Sequence, residues 1–281
     1  MTKKLKSPSV YDIKSDVYEQ RVFLLSKDLT FWERNQTVRR PNINIDVFGA
    51  TWFLGIGICP PGKVALNRKG EKIEFTGPTA FFIPPYSLIE WNLNPTQIQW
   101  AAFASERELP STAPKEAICW DWPSIELPST LEEIFSFLEK WKSLDYRVIE
   151  KIEKPSLLAA KVKAFIDAGY RNELLIAGLA QQLGVSRVAM GRAFKACYGI
   201  SPVAYRNRLR LFYSLKLMSS GETVTAAAFN SGYSHLSRFN RQFREYMRTS
   251  PSEFCLIKKK PRTTLLHRAP MQPPTRSDLE P

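Results

Sequence analysis

The feature that most constrains this chain is an internal repeat. Leu179-Ala180-x3-Gly184-Val185-Ser186, then Phe194, then Gly199-x-Ser201-Pro202, recurs as Ala227-Ala228-x3-Gly232-Tyr233-Ser234, then Phe243, then Ser250-Pro251. The offset is 48 at the alanine and 49 at the phenylalanine and proline, so one residue is inserted within the second turn region. A segment that returns with this spacing is one supersecondary unit built twice.

Each copy carries the physical requirements of a helix-turn-helix. The small residue, Ala180 or Ala228, lets two helices approach closely. The glycine four positions on, Gly184 or Gly232, takes the positive φ that ends the first helix. Ser186 or Ser234 is then expected to cap the second helix by accepting a bond from its free N–H groups. In the first copy Met190 and Phe194 point to the core, which leaves Arg187, Val188, Gly191 and Arg192 on the outer face. In the second, Phe239 and Phe243 point inward and Leu236, Ser237, Asn240 and Arg241 point out. These outer sets are the candidate reading heads. An arginine can pair bidentately with guanine, an asparagine with adenine, and Leu236 or Val188 can meet a thymine methyl group. Alone, Arg192 or Arg241 would read as a solvated surface charge; its place on the projecting helix of a repeated unit assigns it to DNA.

Between the copies, Ser201-Pro202 opens a further helix with proline in its first turn. Its inward stripe is Leu211, Ser214 and Leu217-Met218, with Arg206, Arg208, Arg210 and Lys216 expected largely elsewhere. Such a helix would set the spacing of two reading heads, which must enter successive major grooves about 34 Å apart.

Charge falls in the same place. The net charge of +13 is absent from residues 1–154, which hold 20 basic and 20 acidic residues, whereas residues 155–257 hold 14 basic and 5 acidic. A neutral half joined to a basic half predicts that only the second meets a polyanion.

The first half alternates short apolar runs with turn residues: Val22–Leu25, Ile43–Cys59, Ile73–Phe75, Ala80–Ile83, Leu88–Leu93 and Ile98–Phe103. Pro60-Pro61-Gly62, Gly77-Pro78, Pro84-Pro85 and Asn94-Pro95 break them, which predicts an antiparallel sandwich or barrel over residues 1–128. Leu131, Ile134, Phe135, Leu138 and Trp141 then recur at helical spacing, opened by Ser129 or Thr130, and a second helical stretch is expected through Tyr146 to Ile152. Residues 129–154 thus read as linking or dimerisation helices. The tail, 258–281, is basic and proline-rich without periodicity and reads as disordered.

The region Leu157 to Cys255 resembles the DNA-binding domain of AraC/XylS transcription regulators. The resemblance rests on both turns, the linking helix and the run Gly232-Tyr233-Ser234-x4-Phe239-x-Arg241-x-Phe243-Arg244-x6-Pro251. It implies that both turns engage double-stranded DNA, with Arg192 and Arg241 at contacting positions, and that RNA polymerase is a partner in activation. It also implies a fold in two parts: an N-terminal cupin-like antiparallel β-barrel with helices, and a C-terminal all-α domain with two helix-turn-helix units. Gly77-Pro78-Thr79-Ala80-Phe81-Phe82-Ile83-Pro84-Pro85 looks like one strand of such a barrel. The barrel would bind a small-molecule effector, with Trp52, Phe53, Trp91, Trp100 and Phe103 as candidate lining, or support a homodimer through Leu131 to Trp141. One departure stands out: Arg248 occupies the place that Gly199 takes in the first copy, so either the last helix ends by another route or a non-glycine residue takes the left-handed region with mild strain.

Two other function classes are weighed. A cupin-type enzyme would need a histidine cluster, and the chain holds His235 and His267 alone. A DNA-repair protein with a reactive cysteine would need a thiol of lowered pKa; Cys59, Cys119, Cys197 and Cys255 show no C-x-x-C spacing, and neither Cys59 nor Cys119 has a neighbouring cationic cluster. The expectation is therefore a non-enzyme, without cofactor or metal. No apolar run approaches a membrane span, so no membrane partner is expected and the chain is placed in the cytoplasm.

Overall fold

A computed structural model describes residues 9–14, 17–68, 71–122, 128, 130–149, 155–172 and 176–256. The tail expected to be disordered lies outside them. In chain order the elements are β1 (Ser9–Lys14), β2 (Tyr18–Ser26), β3 (Leu29–Val38), β4 (Asn42–Val47), β5 (Trp52–Ile58), β6 (Val64–Arg68), β7 (Glu71–Glu74), β8 (Thr79–Ile83), β9 (Leu88–Leu93), β10 (Thr96–Ser105) and β11 (Ile118–Asp121). Then come α1 (Leu131–Glu139), β12 (Tyr146–Val148), α2 (Leu157–Gly169), α3 (Ile176–Gln182), α4 (Arg187–Tyr198), α5 (Pro202–Ser219), α6 (Val224–Asn230), α7 (Leu236–Met247) and α8 (Pro251–Leu256).

The strands form two antiparallel sheets, one in the order β1-β2-β3-β10-β5-β8-β11-β12 and one in the order β4-β9-β6-β7. The expected run Ile43–Cys59 is two strands, because the chain crosses from the small sheet to the large one at residues 48–51. Period-two alternation gives the large sheet two apolar faces. Phe53, Phe81, Ile83, Trp100 and Ala102 meet Leu66, Ile89, Trp91 and Leu93 of the small sheet, and this core fills the space between them. The alternate residues Trp52, Leu54, Ile56, Phe82 and Phe103 face the other way and are covered by Ile134 and Leu138 of α1.

Two expectations are corrected here. The five aromatic residues proposed as one lining are split: Phe53, Trp91 and Trp100 lie between the sheets, whereas Trp52 and Phe103 lie under α1. Tyr146 to Val148 is a strand instead of the start of a helix, since Tyr146, Arg147 and Val148 pair with Trp120, Cys119 and Ile118; residues 150–152 lie outside the described ones. Thr130 is the cap of α1, accepting a bond from the Glu133 N–H at 3.2 Å. Of the α1 stripe expected to join two copies, Ile134 and Leu138 are fully buried within the chain, whereas Leu131, Phe135 and Trp141 are half-buried.

The helical part holds two further cores. One gathers α2, α3, α4 and the first half of α5 around Val162, Ile166, Met190, Phe194 and Tyr205. The other gathers the second half of α5 with α6, α7 and α8 around Leu211, Met218, Phe239, Phe243 and Phe254. The β-rich part is seated on α5: Phe212 packs edge-on to Phe53, with ring centroids 6.0 Å apart. Lys216 pairs with Glu106, and the Tyr246 hydroxyl at the end of α7 donates to Asp46 on β4 at 2.7 Å.

Because Leu138 is buried against its own sheet, Leu138→Lys is expected to destabilise the chain by more than the roughly 2–5 kcal/mol of a core Leu→Ala truncation. Chemical denaturation checks this, and an unchanged midpoint would place the side chain outside the core. Arg248 does adopt the left-handed region, with φ 56° where Gly199 has φ 73°. Arg248→Gly is therefore expected to raise stability by about 1 kcal/mol; a fall in thermal midpoint would contradict it.

Candidate nucleic-acid interface

The first unit is α3, a turn and α4. Gly184 holds φ +66° at the turn, Ala180 is buried at the helix crossing, and Ser186 accepts the Ala189 N–H at 3.1 Å, so α4 begins with its predicted cap. Met190 and Phe194 are buried, which leaves Arg187, Val188 and Arg192 exposed and Gly191 half-exposed on the opposite face. Val188 keeps 60% of its surface, an apolar side chain held in water on a projecting helix.

The second unit is α6, a turn and α7, and it departs from the first at the cap. Ser234 was expected to cap α7. Instead α7 starts at Leu236, the residue at the cap is His235, and His235 makes no side-chain cap bond. The one-residue insertion explains this: the helix begins three residues after Gly184 in the first unit and four after Gly232 in the second. The serine that matches Ser186 is thereby left outside the helix.

Phe239 and Phe243 are buried as expected, Ser237 and Arg241 are exposed, and Asn240 is half-exposed. Leu236 is not fully outward, for it leans on the core of its own unit. Thus seven of the eight predicted residues lie on the open faces of α4 and α7, and Leu236 divides its surface between core and solvent.

The electrostatics of these faces favour an anion. Neither helix has an acidic residue in its first turn, so the positive end of each helix dipole is uncompensated. Arg187, Arg192 and Lys195 are exposed on α4, and Arg238, Arg241 and Arg244 on α7. Beside α7, Arg206 is held below the usual arginine range by burial and then by the charge of Arg238. Lys216, by contrast, is turned toward Glu106 of the β-rich part.

Sequence reasoning missed Arg210. It was expected on the outer surface of α5, yet it is buried, bonding the backbone at the end of α2. The signal was present in the pattern: α5 buries Tyr205 and Leu209 in one core and Leu211, Ser214 and Met218 on another side, and position 210 falls between the two stripes.

A family model described as a helix-turn-helix domain matches residues 179–255. The transcriptional regulatory protein HptR of Staphylococcus aureus is 28% identical over 110 residues, 39% of this chain and 44% of its own length. The virulence regulon transcriptional activator VirF of Yersinia enterocolitica is 26% identical over 149 residues, 49% of this chain and 51% of its own. The chain thus spans about half the length of the curated relatives it matches. Among solved structures, an apo ToxT variant from Vibrio cholerae is 15% identical, covering 82% of this chain and 98% of its own, with a TM-score of 0.49. A probable AraC family transcriptional regulator from Rhodopseudomonas palustris is 33% identical, covering 36% of this chain and 96% of its own, with a TM-score of 0.33. Both turns and the helix between them lie inside the matched region, so the C-terminal part of this chain carries the helix-turn-helix domain that the family model describes, in two copies.

Proposed function

We propose that this chain is a sequence-specific DNA-binding transcription regulator whose α4 and α7 enter successive major grooves on one face of the duplex. One observation carries the reading: two structurally matched units each present a helix with a buried aromatic side and an open side bearing arginines and no first-turn acid. Arg192 and Arg241 are assigned to base edges, with Val188, Ser237 and Asn240 beside them. Arg187 and Gly191 complete the first surface, and Leu236 the rim of the second. Lys195, Arg238 and Arg244 are assigned to phosphates, which add affinity without sequence information.

The β-rich part is assigned the regulatory role, as the sensor of an organic effector or as the surface that pairs two copies. Support comes from its seat on the reading domain, where Phe212 enters the packing around Phe53 and Asp46 receives the hydroxyl of Tyr246 at the end of α7. A change in the β-rich part is thereby felt by the spacer helix and the second reading helix together. Contact with RNA polymerase and activation of transcription are the expected output of such a protein in the cytoplasm.

The assignment makes α4 and α7 separable. Sequences selected from a random DNA pool by the full chain should show two preferred elements about 10 base pairs apart. Arg192→Ala and Arg241→Ala are each expected to cost roughly 1–3 kcal/mol on that site and to relax preference at one element only. Arg238→Ala or Lys195→Ala should weaken all sequences alike and lower the salt slope by about one unit. If both arginine variants changed the same base pairs, or neither changed preference while affinity fell uniformly, the two-headed reading would be lost.

The thiols separate this reading from a repair enzyme. Cys59 and Cys119 are buried in the core between the sheets, and burial pushes each thiol up to about 11. Thiolate is the reactive form, so both are expected to resist iodoacetamide in the native chain at pH 7 and to react once it is unfolded. Rapid native alkylation at either position, followed by mass spectrometry, would reopen a nucleophilic role.

A further inference from the structure

An 18-residue helix joins the two units, and such a helix is about 27 Å long. It fixes a separation but leaves open how one unit is rotated about the helix axis relative to the other. Beyond the packing of each unit on α5, the structure braces that rotation at one backbone segment, residues 170–172, which follows the end of α2.

On one side, Arg210 of α5 reaches this segment with two bonds. Its Nε donates to the Tyr170 carbonyl at 2.6 Å and its Nη2 to the Asn172 carbonyl at 2.7 Å. The Tyr170 carbonyl belongs to the negative end of α2, where a guanidinium is favoured by charge, and the Asn172 carbonyl lies in the turn that follows. The side chain is buried, so its bond to Tyr170 is shielded from water.

On the other side lies the turn of the second unit. Gly232 sits so close that a Cβ added there would be 2.1 Å from the Arg171 carbonyl oxygen. The next residue, Tyr233, is buried on Phe239, and its hydroxyl donates to Gln242 Oε1 of α7 at 3.0 Å, with the Asn207 carbonyl of α5 at 3.3 Å. Tyr170, Arg171 and Asn172 of the first unit are therefore held between the spacer helix and the turn that launches the second reading helix.

We propose that Arg210 is a positioning residue for DNA reading: by gripping the end of α2 against the second turn it sets the rotational register of α7 relative to α4, and hence the half-site spacing the chain accepts. The inference rests on the two-headed reading given above. It assigns to Arg210 no contact with DNA.

The register can be read directly from spacing. Inserting or deleting one base pair between the two elements moves them by about 3.4 Å and turns them by about 34°. The full chain is tested on its selected site with the spacing varied by one and two base pairs in each direction, and on sites with either element scrambled. The parent is expected to lose about tenfold or more in affinity once the spacing changes, as a rigid pair of heads must then give up one contact set. Arg210→Lys keeps the charge but replaces the planar fork of two nitrogens by a single ammonium on a flexible stem, and is expected to flatten this profile to within about threefold while binding each single element within about threefold of the parent. Arg210→Gln is the second variant, guarding against misfolding of the first, and far-UV circular dichroism confirms that each is folded.

A purely structural role would lower affinity for both single elements and leave the shape of the spacing profile unchanged. That result, or a profile identical to the parent's in a folded variant, overturns the positioning role and leaves the two-headed reading intact. A parent with no spacing preference overturns that reading itself, and the positioning role with it.

Discussion

The structure depends on one helix being packed into three cores at once. Tyr205 and Leu209 of α5 belong to the core of the first unit, Leu211 and Met218 to that of the second, and Phe212 to the packing around Phe53 in the β-rich part. Each buried side chain of this size stabilises by roughly 1.5–3 kcal/mol, so none of the three bodies can shift along α5 without losing contacts of that order. The spacer is therefore also the common wall of the chain. Its solvent-facing stripe is narrow, which is why an arginine at position 210 is enclosed and half-buries Arg206 and Arg208 beside it.

The two units share a plan and differ where they would touch DNA. In the first, a capping serine and a glycine at the helix end give α4 regular termini. In the second, α7 starts one residue late with no side-chain cap and ends on Arg248 in a left-handed conformation. A missing cap costs about 0.5–2 kcal/mol, and the strained end adds a cost of similar order. The second helix leans on other supports: Tyr233 bonds to it from the turn, and Tyr246 ties its far end to Asp46. A helix held in part by a neighbouring domain is one that domain can influence.

The seam between the β-rich part and the helices also stores strain. Tyr86 has φ 61°, a conformation that non-glycine residues rarely adopt, and its N–H donates to the Gly49 carbonyl at 2.8 Å. The Lys163 ammonium of α2 lies 5.6 Å from the Tyr86 ring centre and bonds to Asp167 at 2.7 Å. Asp167 in turn accepts the Tyr205 hydroxyl at 2.5 Å. Strain of this kind persists only where the surroundings over-determine it, and here the surroundings belong to two parts of the chain.

Much of this was legible in the residues because its causes are local. The repeat at 48 and 49 positions, the turn glycines and the buried aromatic pairs specified both helix-turn-helix units and their open faces, since helical periodicity decides which side of a helix is apolar. Even the strain at Arg248 followed from aligning one copy with the other. Proline and glycine likewise marked where most strands stop. The rest was decided by contacts between distant segments. Tyr146 to Val148 became a strand because Ile118 to Trp120 offered an edge, and Ser234 lost its cap because one inserted residue moved the helix start. Trp52 and Phe103 parted from Trp91 because the large sheet is covered on both faces, and Arg210 turned inward because two units and a helix end converge on it. A sequence states what each segment prefers; which face a partner covers is fixed only when the segments meet, because burial is a property of the assembled surface.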